Sequence, residues 1–171
     1  MDFKIKEKEM IERTLVLIKP DGVSRHLIGE IIKRFEQRGL KIIGLKMTKS
    51  DDQRASKHYN DDIAKKHGHE VRNRLIAYVN DGIIVALVLE GIDCINVVRK
   101  ICGSTYPNEA SLGSIRGDYA HISKDYANSN NKNVKNLVHA SGSLEEAKEE
   151  IKIWFNDNEL FNYEGDHEKY I

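Results

Sequence analysis

The chain has 171 residues, with 27 Lys and Arg against 27 Asp and Glu, so its formal net charge is zero. A protein that binds nucleic acid through bulk charge carries a clear excess of basic residues, so nucleic acid is an unlikely partner. Hydrophobic residues make up 40% of the chain. This is enough for a core and too much for a disordered chain, and the length fits a single domain over residues 1–171.

The cysteine content and the aliphatic runs narrow the class further. Cys94 and Cys102 lie in a segment with helical periodicity, more than two turns apart, so we expect reduced, buried thiols and no disulfide. The longest aliphatic run, Ile83–Leu89, is too short to span a bilayer. Residues 1–7 contain no apolar signal region. These features predict a soluble cytoplasmic protein without a membrane partner.

The N-terminal half is predicted to alternate strands with helices. In chain order the elements are a strand Arg13–Lys19, a turn Pro20–Gly22, a helix from Ile28 to about Arg38, a strand Leu40–Thr48, and helices Ser50–Tyr59 and Val71–Val79 joined by a charged link with Gly68. Within the second strand, Ile43, Leu45 and Met47 alternate, which places them on one face.

The C-terminal half continues this alternation. The elements are a strand Gly82–Glu90, a helix capped by Asp93 and ended by Gly103, an aperiodic loop Ser104–Tyr119, an asparagine-rich segment Asn128–Asn136, a short strand within Val134–His139, and a helix after a capping box at Ser143–Glu146. The first of these strands is apolar on both faces, which predicts a central position in the sheet. The order predicts an α+β, ferredoxin-like fold with a core of about residues 13–155 and an acidic C-terminal extension, residues 156–171.

Three cations occupy positions that suit anion binding. Lys19 ends a strand just before a tight turn, and Arg99 lies beside the apolar stripe of a helix. Arg116 is flanked by Gly113 and Gly117, which would let the backbone approach a ligand, and the arginine fork matches phosphate oxygens. Taken one at a time, each residue also has an ordinary interpretation. Lys19 is equally typical of a solvated lysine in a turn, and Arg99 of a favourable charge near the end of a helix.

His139 is the strongest candidate for a reactive side chain. It ends a short apolar stretch, and Glu150 follows on a helix without any cation among its helical neighbours. An unpaired carboxylate beside an apolar stripe is suited to turn inward and orient an imidazole. The alternative is a surface glutamate and a hydrogen-bonded core histidine. The pair His67 and His69 could indicate a metal site, but no further ligands lie at the required spacing.

Taken together, the motifs of this chain resemble those of the nucleoside diphosphate kinases. The matching segments, in the family's order, are Arg13–Val23, Gly29–Glu36, His58–Tyr59, Glu90–Gly91, Gly103–Pro107, Gly113–Asp118, Asn136–Ser141 and Trp154–Phe155. The resemblance implies a ferredoxin-like four-stranded antiparallel sheet covered by helices. It also implies a ping-pong transfer of the γ-phosphate of a nucleoside triphosphate to His139 and then to a nucleoside diphosphate, which maintains triphosphate pools with broad base specificity.

The resemblance also implies a role for each matched residue. Lys19 and Tyr59 would hold the transferred phosphoryl group; Lys19 and Asn136 would reach the ribose 3′-hydroxyl; Arg99, Thr105 and Arg116 would bind the other phosphates; and Ser141 and Glu150 would orient the histidine. Mg²⁺ would bridge the phosphates. Because no carboxylate cage is visible in the sequence, we expect the ion to arrive with ATP or another nucleotide rather than at a protein site.

Four departures from the family pattern affect details of this interpretation. Extra residues lie before Gly82 and between Arg116 and Asn136, Gly142 stands where many relatives have an aspartate, and the tail after Phe155 differs from that of hexameric eukaryotic relatives.

The resemblance implies a homo-oligomer, a tetramer or a hexamer, with the loop around Pro107 as an assembly element.

The base contact has to be located by counting through the extra residues before Gly82. Relatives place a phenylalanine where counting back from Gly82 gives Val71, with Leu75 as the next contact. Alternatively, the extra residues bring His67 or His69 over the base. Two rival functions remain: a non-catalytic nucleotide-sensing or nucleic-acid-binding module, and a nuclease, for which the sequence shows no separate metal site.

Overall fold

The computed structural model describes residues 10–166 and residue 169. The absence of a signal region in residues 1–7 and the end of the acidic extension, including His167, therefore lie outside the described residues. The elements are β1 (Ile11–Ile18), α1 (Pro20–Ser24), α2 (Ile28–Glu36), β2 (Lys41–Lys49), α3 (Asp52–His58), α4 (Asp61–His67), α5 (His69–Asn80), β3 (Ile83–Ile92), α6 (Cys94–Cys102), α7 (Ile115–Tyr119), α8 (Lys124–Ser129), β4 (Val138–Ala140) and α9 (Leu144–Trp154), with 3₁₀ turns at Pro107–Glu109 and Asp157–Glu159.

The four strands form one antiparallel sheet in the order β2-β3-β1-β4. This confirms the expected ferredoxin-like architecture and the central place of β3, whose residues Ile84–Glu90 are buried. One face of the sheet packs against α2 and α6, and the other packs against α3, α5 and α9. Alternate residues of β1 enter the two cores, so β1 and β3 fix the centre of the molecule.

The edge strand β2 departs from the sequence prediction. An irregularity between Ile42 and Gly44 shifts its register against β3, so that Ile43 enters the core beside α9. Leu45 and Met47 then lie opposite Leu87 and Val85 of the other core, and both are exposed. The expectation that Ile43, Leu45 and Met47 share one face is wrong, because the extra residue of a bulge inverts the alternation.

Several turns and loops contain more helix than the sequence predicts. The turn Pro20–Gly22 is the first turn of α1, with Pro at its first position, where a missing N–H costs nothing. The charged link is itself a helix, α4, which Asn60 caps and Gly68 ends at a φ of +91°. Asp93 lies at the start of α6 in a left-handed conformation and makes no side-chain cap, contrary to the prediction.

The remaining expectations for the core hold. Cys94 and Cys102 are free and buried, and burial raises the pKa of both thiols, to about 12 and about 11. Within residues 10–166, no helix is long and apolar enough to cross a membrane.

Candidate active site

The topology brings two sequence-distant segments together at one end of the sheet. Strand β4 pairs with β1, and His139 lies opposite Leu17. One step beyond the ladder, the backbone N–H of Lys19 donates to the carbonyl of Leu137 at 2.8 Å. Backbone hydrogen bonds between neighbouring segments therefore hold Lys19 and His139 at the same end of the sheet without a conformational change.

The turn that enters β4 is held in an unfavourable conformation. Leu137 has a φ of +69°, which side-chain-bearing residues rarely adopt. The carboxylate of Asp21 accepts a hydrogen bond from the Leu137 N–H and another from the Tyr78 hydroxyl. All three residues are buried. Asp21 and Tyr78 thus position the histidine strand, a role that sequence reasoning missed because Asp21 reads as a turn residue and Tyr78 as a core aromatic.

His139 and Glu150 form the pair that the sequence predicts. The imidazole Nε2 lies 2.9 and 3.0 Å from the two carboxylate oxygens of Glu150. The Ser141 hydroxyl donates to the same carboxylate at 2.6 Å and accepts from the Leu15 N–H. Burial alone would raise the pKa of Glu150, but His139, then His58 and Ser141, lower it to about 2. The carboxylate is therefore ionised and fixes the ring orientation.

His58 packs edge-on against His139, with the ring centroids 4.4 Å apart. Burial, helped by the charge of His139, lowers the pKa of His58 to about 3, so this ring is neutral. Its Nδ1 accepts from the Trp154 indole at 3.3 Å. The ligand atoms of His58, His139 and Glu150 lie within 4.8 Å of one another, which is close enough for a metal. Their existing hydrogen bonds instead make the group a positioning cluster for the reactive ring.

Lys19, Asn136 and Thr105 form a hydrogen-bonded chain beside this pair. The ammonium of Lys19 donates to Asn136 Oδ1 at 2.8 Å, and Asn136 Nδ2 donates to the carbonyl of Thr105 at 2.8 Å. Burial, followed by the charge of Arg116, lowers the pKa of Lys19 to about 7. A buried ammonium with so low a pKa is stabilised strongly when an anion binds beside it.

Arg116 is anchored rather than free. Its guanidinium donates to the carbonyls of Asn136, Gly103 and Val138 at 3.2, 2.8 and 2.7 Å. Three of its five N–H donors are thereby used, and two remain for a ligand. Burial lowers its pKa from the usual value. Gly117 is required by the packing of the chain itself, because a Cβ there would lie 2.1 Å from the Ser111 carbonyl oxygen.

Tyr59 contributes an unsatisfied hydroxyl. The residue is 6% exposed, and its buried oxygen has no hydrogen-bond partner among the described residues. Burial and the charge of Glu150 raise the pKa of the phenol, so it stays a neutral donor. A buried hydroxyl without a partner costs free energy, which a bound anionic oxygen would offset.

Arg99 and Thr105 lie at the rim of this cluster, and their side chains are exposed. Near them, Gly142 has no side chain, and its N–H donates to the Glu146 carboxylate at 2.8 Å. A Cβ at position 142 would lie 2.7 Å from Glu146 Oε2 and 3.4 Å from Arg99 Nη1. Glu146 therefore places its carboxylate directly beside Gly142, in the space that a side chain at position 142 would occupy.

The proposed base contacts are not joined to the cluster by any hydrogen bond. Val71 and Leu75 are half-buried on α5, and Leu75 packs against the core beside α9. His67 and His69 are exposed where α4 ends and α5 begins. The structure thus brings together Lys19, Tyr59, Arg116, Asn136, His139, Ser141 and Glu150, and leaves Arg99 and Thr105 at the rim and Val71 and Leu75 further out.

A carboxylate-oriented imidazole surrounded by buried cations and one unpaired hydroxyl defines a phosphotransfer site. The nucleoside diphosphate kinase family model matches residues 12–160. The nucleoside diphosphate kinase of Borreliella burgdorferi is 44% identical over 160 residues, which cover 93% of this chain and 96% of that protein. The enzyme of Sulfurisphaera tokodaii is 50% identical over 150 residues, covering 88% and 92% of the two chains.

Solved structures give the same result. The Borrelia burgdorferi nucleoside diphosphate kinase with bound vanadate and ADP, a transition-state mimic, superposes with a TM-score of 0.93 at 43% identity, covering 95% of this chain and 97% of that one. The Halobacterium salinarum enzyme in complex with CDP has a TM-score of 0.80 at 35% identity, covering 93% and 97%. The chain belongs to the nucleoside diphosphate kinase family. It is a kinase that transfers phosphate between nucleotides through a phosphohistidine and so maintains the triphosphate pools.

Proposed function

We propose that His139 is the residue that becomes phosphorylated, and that its Nδ1 atom is the nucleophile. The observation that carries this proposal is the contact between Nε2 and Glu150. An ionised carboxylate accepts, so Nε2 carries the proton and the lone pair lies on Nδ1. Nδ1 makes no hydrogen bond with any described residue. The ring attacks the γ-phosphorus, the bond to the β-bridging oxygen breaks, and the nucleoside diphosphate leaves with that electron pair.

The surrounding donors suit the charge of the transferred group. Lys19, Tyr59 and the two spare N–H groups of Arg116 would contact its oxygens, and Asn136 would hold Lys19 and the ribose hydroxyl. Arg99 and Thr105 at the rim would bind the phosphates further from the histidine. Because these groups are held by backbone and side-chain contacts before substrate arrives, little reorganisation accompanies the reaction.

We propose Mg²⁺ as the divalent ion, carried by the nucleotide phosphates. The donor set fits this assignment. The carboxylates that hold the histidine strand and ring have partners already: Glu150 binds His139, and Asp21 binds Tyr78 and the Leu137 N–H. The described residues thus offer no free carboxylate cage. Mg²⁺ on the phosphates would neutralise charge that Lys19 and Arg116 do not reach.

Base binding and location follow the same proposal. Val71 and Leu75 would contact the base from α5 by apolar burial without aromatic stacking, so selectivity among the bases is broad. The free, buried Cys94 and Cys102 are typical of a reducing compartment, which supports a cytoplasmic location.

We propose a homo-oligomer, a tetramer or a hexamer, in which β2 contributes to an interface. Leu45 is 52% exposed and Met47 is 63% exposed on this edge strand. Exposed apolar side chains on a sheet edge favour association with another copy. Light scattering should show the oligomer, and Leu45→Glu with Met47→Glu should lower its mass, whereas Met10→Glu should not. A monomeric wild-type protein at micromolar concentration would disprove this proposal.

The phosphohistidine assignment is tested by incubation with γ-labelled ATP and Mg²⁺. The protein should acquire label that is lost in acid, survives alkali and chases onto GDP. His139→Ala should acquire none, while His58→Ala, which removes the neighbouring buried ring, should still be labelled to some extent. Equal labelling of wild type and His139→Ala would refute the assignment.

A further inference from the structure

A second cleft, with a volume of about 760 Å³, is lined in part by Tyr78 and does not include His139. One wall is formed by α5 and the turn after it, and the other by the segment 119–135, which contains the extra residues of this chain. Clefts of this size accommodate small-molecule ligands. None of the residues assigned to phosphotransfer lines it, so it is a separate feature of the surface.

The charge of this cleft favours an anion. Its lining carries Arg25, Lys132 and Lys135 against a single carboxylate, Asp81. The side chains of Arg25 and Lys135 make no ion pair or hydrogen bond with any residue of the described part of the chain. Several cations around one concave surface, two of them with their donors uncommitted, are suited to hold several phosphate oxygens.

The same lining offers aromatic faces. Tyr126 is 55% exposed, and the ammonium of Lys132 lies 5.9 Å from its ring centroid. Tyr119 is held in place, because its hydroxyl accepts from Arg34 at 3.2 Å. An exposed tyrosine beside a cation can stack on a base while the cation contacts phosphate. Inorganic phosphate would contact the cations of this lining and leave its aromatic faces unused.

Two contacts join the cleft to the active site. The ring of Tyr78, which lines the cleft, lies 5.2 Å from the Lys19 ammonium of the active site. Arg74 on α5 donates to Asn131 Oδ1 at 3.2 Å, and its carbonyl accepts from Asn133 at 3.0 Å. Arg74 lies between the two residues proposed to contact the base, so movement of segment 119–135 would be transmitted to that helix.

We propose that this cleft is a second nucleotide site, in which Arg25 and Lys132 bind the phosphates of a nucleoside diphosphate or triphosphate and Tyr126 stacks on its base. Occupancy of the site tightens segment 119–135 against α5. The site therefore senses the nucleotide pool that the enzyme itself produces, independently of the nucleotide being turned over.

Calorimetric titration of the wild-type protein with ADP tests this proposal. Two ADP molecules should bind per chain. The double variant Arg25→Ser and Lys132→Ser should weaken the second site by roughly tenfold or more, as the loss of two charge-assisted contacts implies. In the same double variant, the ADP affinity of the active site should change by less than about twofold. The matched control, Lys124→Ser with Lys148→Ser, removes two exposed lysines outside the cleft and should retain both sites.

Two further arms identify the ligand class. Tyr126→Ala should weaken the second ADP, and inorganic pyrophosphate at the same concentration should fail to displace it. A stoichiometry of one ADP in the wild type, or two unchanged sites in the Arg25 and Lys132 double variant, would overturn the proposal. Displacement of the second ADP by equimolar pyrophosphate would overturn the nucleotide assignment and leave a simple anion site.

Discussion

The phosphate end and the base end of this molecule are built differently. Around His139, every candidate side chain except Arg99, Thr105 and the unpartnered Tyr59 hydroxyl is held by at least one hydrogen bond to a buried neighbour. Around Val71 and Leu75, the helix is half-exposed; Arg72 donates to the Tyr59 carbonyl at 2.7 Å, but the side chains of Val71 and Leu75 offer apolar contact alone. Both regions belong to one fold, and the proposed function gives them one substrate.

The difference follows from what each region must do. Transfer of a phosphoryl group requires charges placed to within fractions of an ångström, which only a rigid, desolvated network provides. Binding of any of several bases requires apolar area without directional contacts. We therefore expect substitutions at the phosphate end to lower the turnover strongly, and substitutions at the base end to change affinity modestly.

His139→Ala should lower turnover by about four orders of magnitude or more, because the nucleophile itself is removed. The fold should persist, since β4 is held by its ladder with β1 and by Asp21. Steady-state assay with GDP as acceptor and circular dichroism on the same sample measure both quantities. Near-normal turnover of a folded variant would place the chemistry elsewhere.

Asn136→Ala should reduce turnover by roughly 100-fold, because it frees the Lys19 ammonium and leaves the Thr105 carbonyl without its donor. The control is Asn128→Ala, an exposed asparagine of the same segment, which should behave like the wild type. If the two variants have equal activity, the bridge between Lys19 and Thr105 does not organise the site.

Glu150→Gln should lower turnover by about 10- to 100-fold, since the amide orients the ring less firmly and stabilises its protonated form less. The pKa of Glu150 is depressed from 4.5 to about 2 in the folded protein. Its stabilising contribution is therefore complete above pH 4.5 and is lost as the pH falls towards 2. In urea unfolding, the free energies of variant and wild type should differ at pH 7, and this difference should shrink below pH 4.5 and close only at about pH 2 or lower. A difference independent of pH would contradict this.

Glu146→Ala should cost about 0.5–1 kcal/mol of unfolding free energy, because the Gly142 N–H loses its exposed carboxylate acceptor. The nucleotide KM should fall slightly, since the loss of a carboxylate near Arg99 removes a repulsion on the phosphates that this cation binds. Glu146→Gln keeps an acceptor and should recover most of the stability but not the charge. If Glu146→Gln lost as much unfolding free energy as Glu146→Ala, the hydrogen bond to Gly142 would not be the cause of the loss.

Val71→Phe should tighten nucleotide binding by a few-fold, as an added stacking contact is worth about 1 kcal/mol. His67→Ala and His69→Ala should leave affinity unchanged. Fluorescence titration with a labelled ADP compares the three variants. Several-fold weaker binding in either histidine variant, without any gain in Val71→Phe, would mean that the base lies against the α4–α5 junction instead.

Sequence reasoning predicted the phosphate end well, because its chemistry requires particular residue types. The inward turn of Glu150 followed from the absence of a local cation partner, and the distance to His139 confirms it. The strand and helix order followed from periodicity. The two insertions could also be located in the sequence, because the matching motifs on either side of each one fix where it begins and ends.

The parts that sequence reasoning missed depend on long-range geometry. The bulge in β2 has no local signal, so Leu45 and Met47 were assigned to the wrong face relative to Ile43. The support of Leu137 by Asp21 and Tyr78 joins segments far apart in the chain. The Glu146 carboxylate fills the space above Gly142. This contact depends on the helix that carries Glu146 and has no signal in the sequence alone.

The central claim is that Nδ1 of His139 carries the phosphoryl group because Glu150 holds the proton on Nε2. Phosphorus NMR of the alkali-stabilised phosphoenzyme, with heteronuclear coupling to the imidazole protons, identifies which nitrogen is modified. The account predicts a single species phosphorylated at Nδ1 of His139. Phosphate on Nε2, or on another side chain, would contradict it.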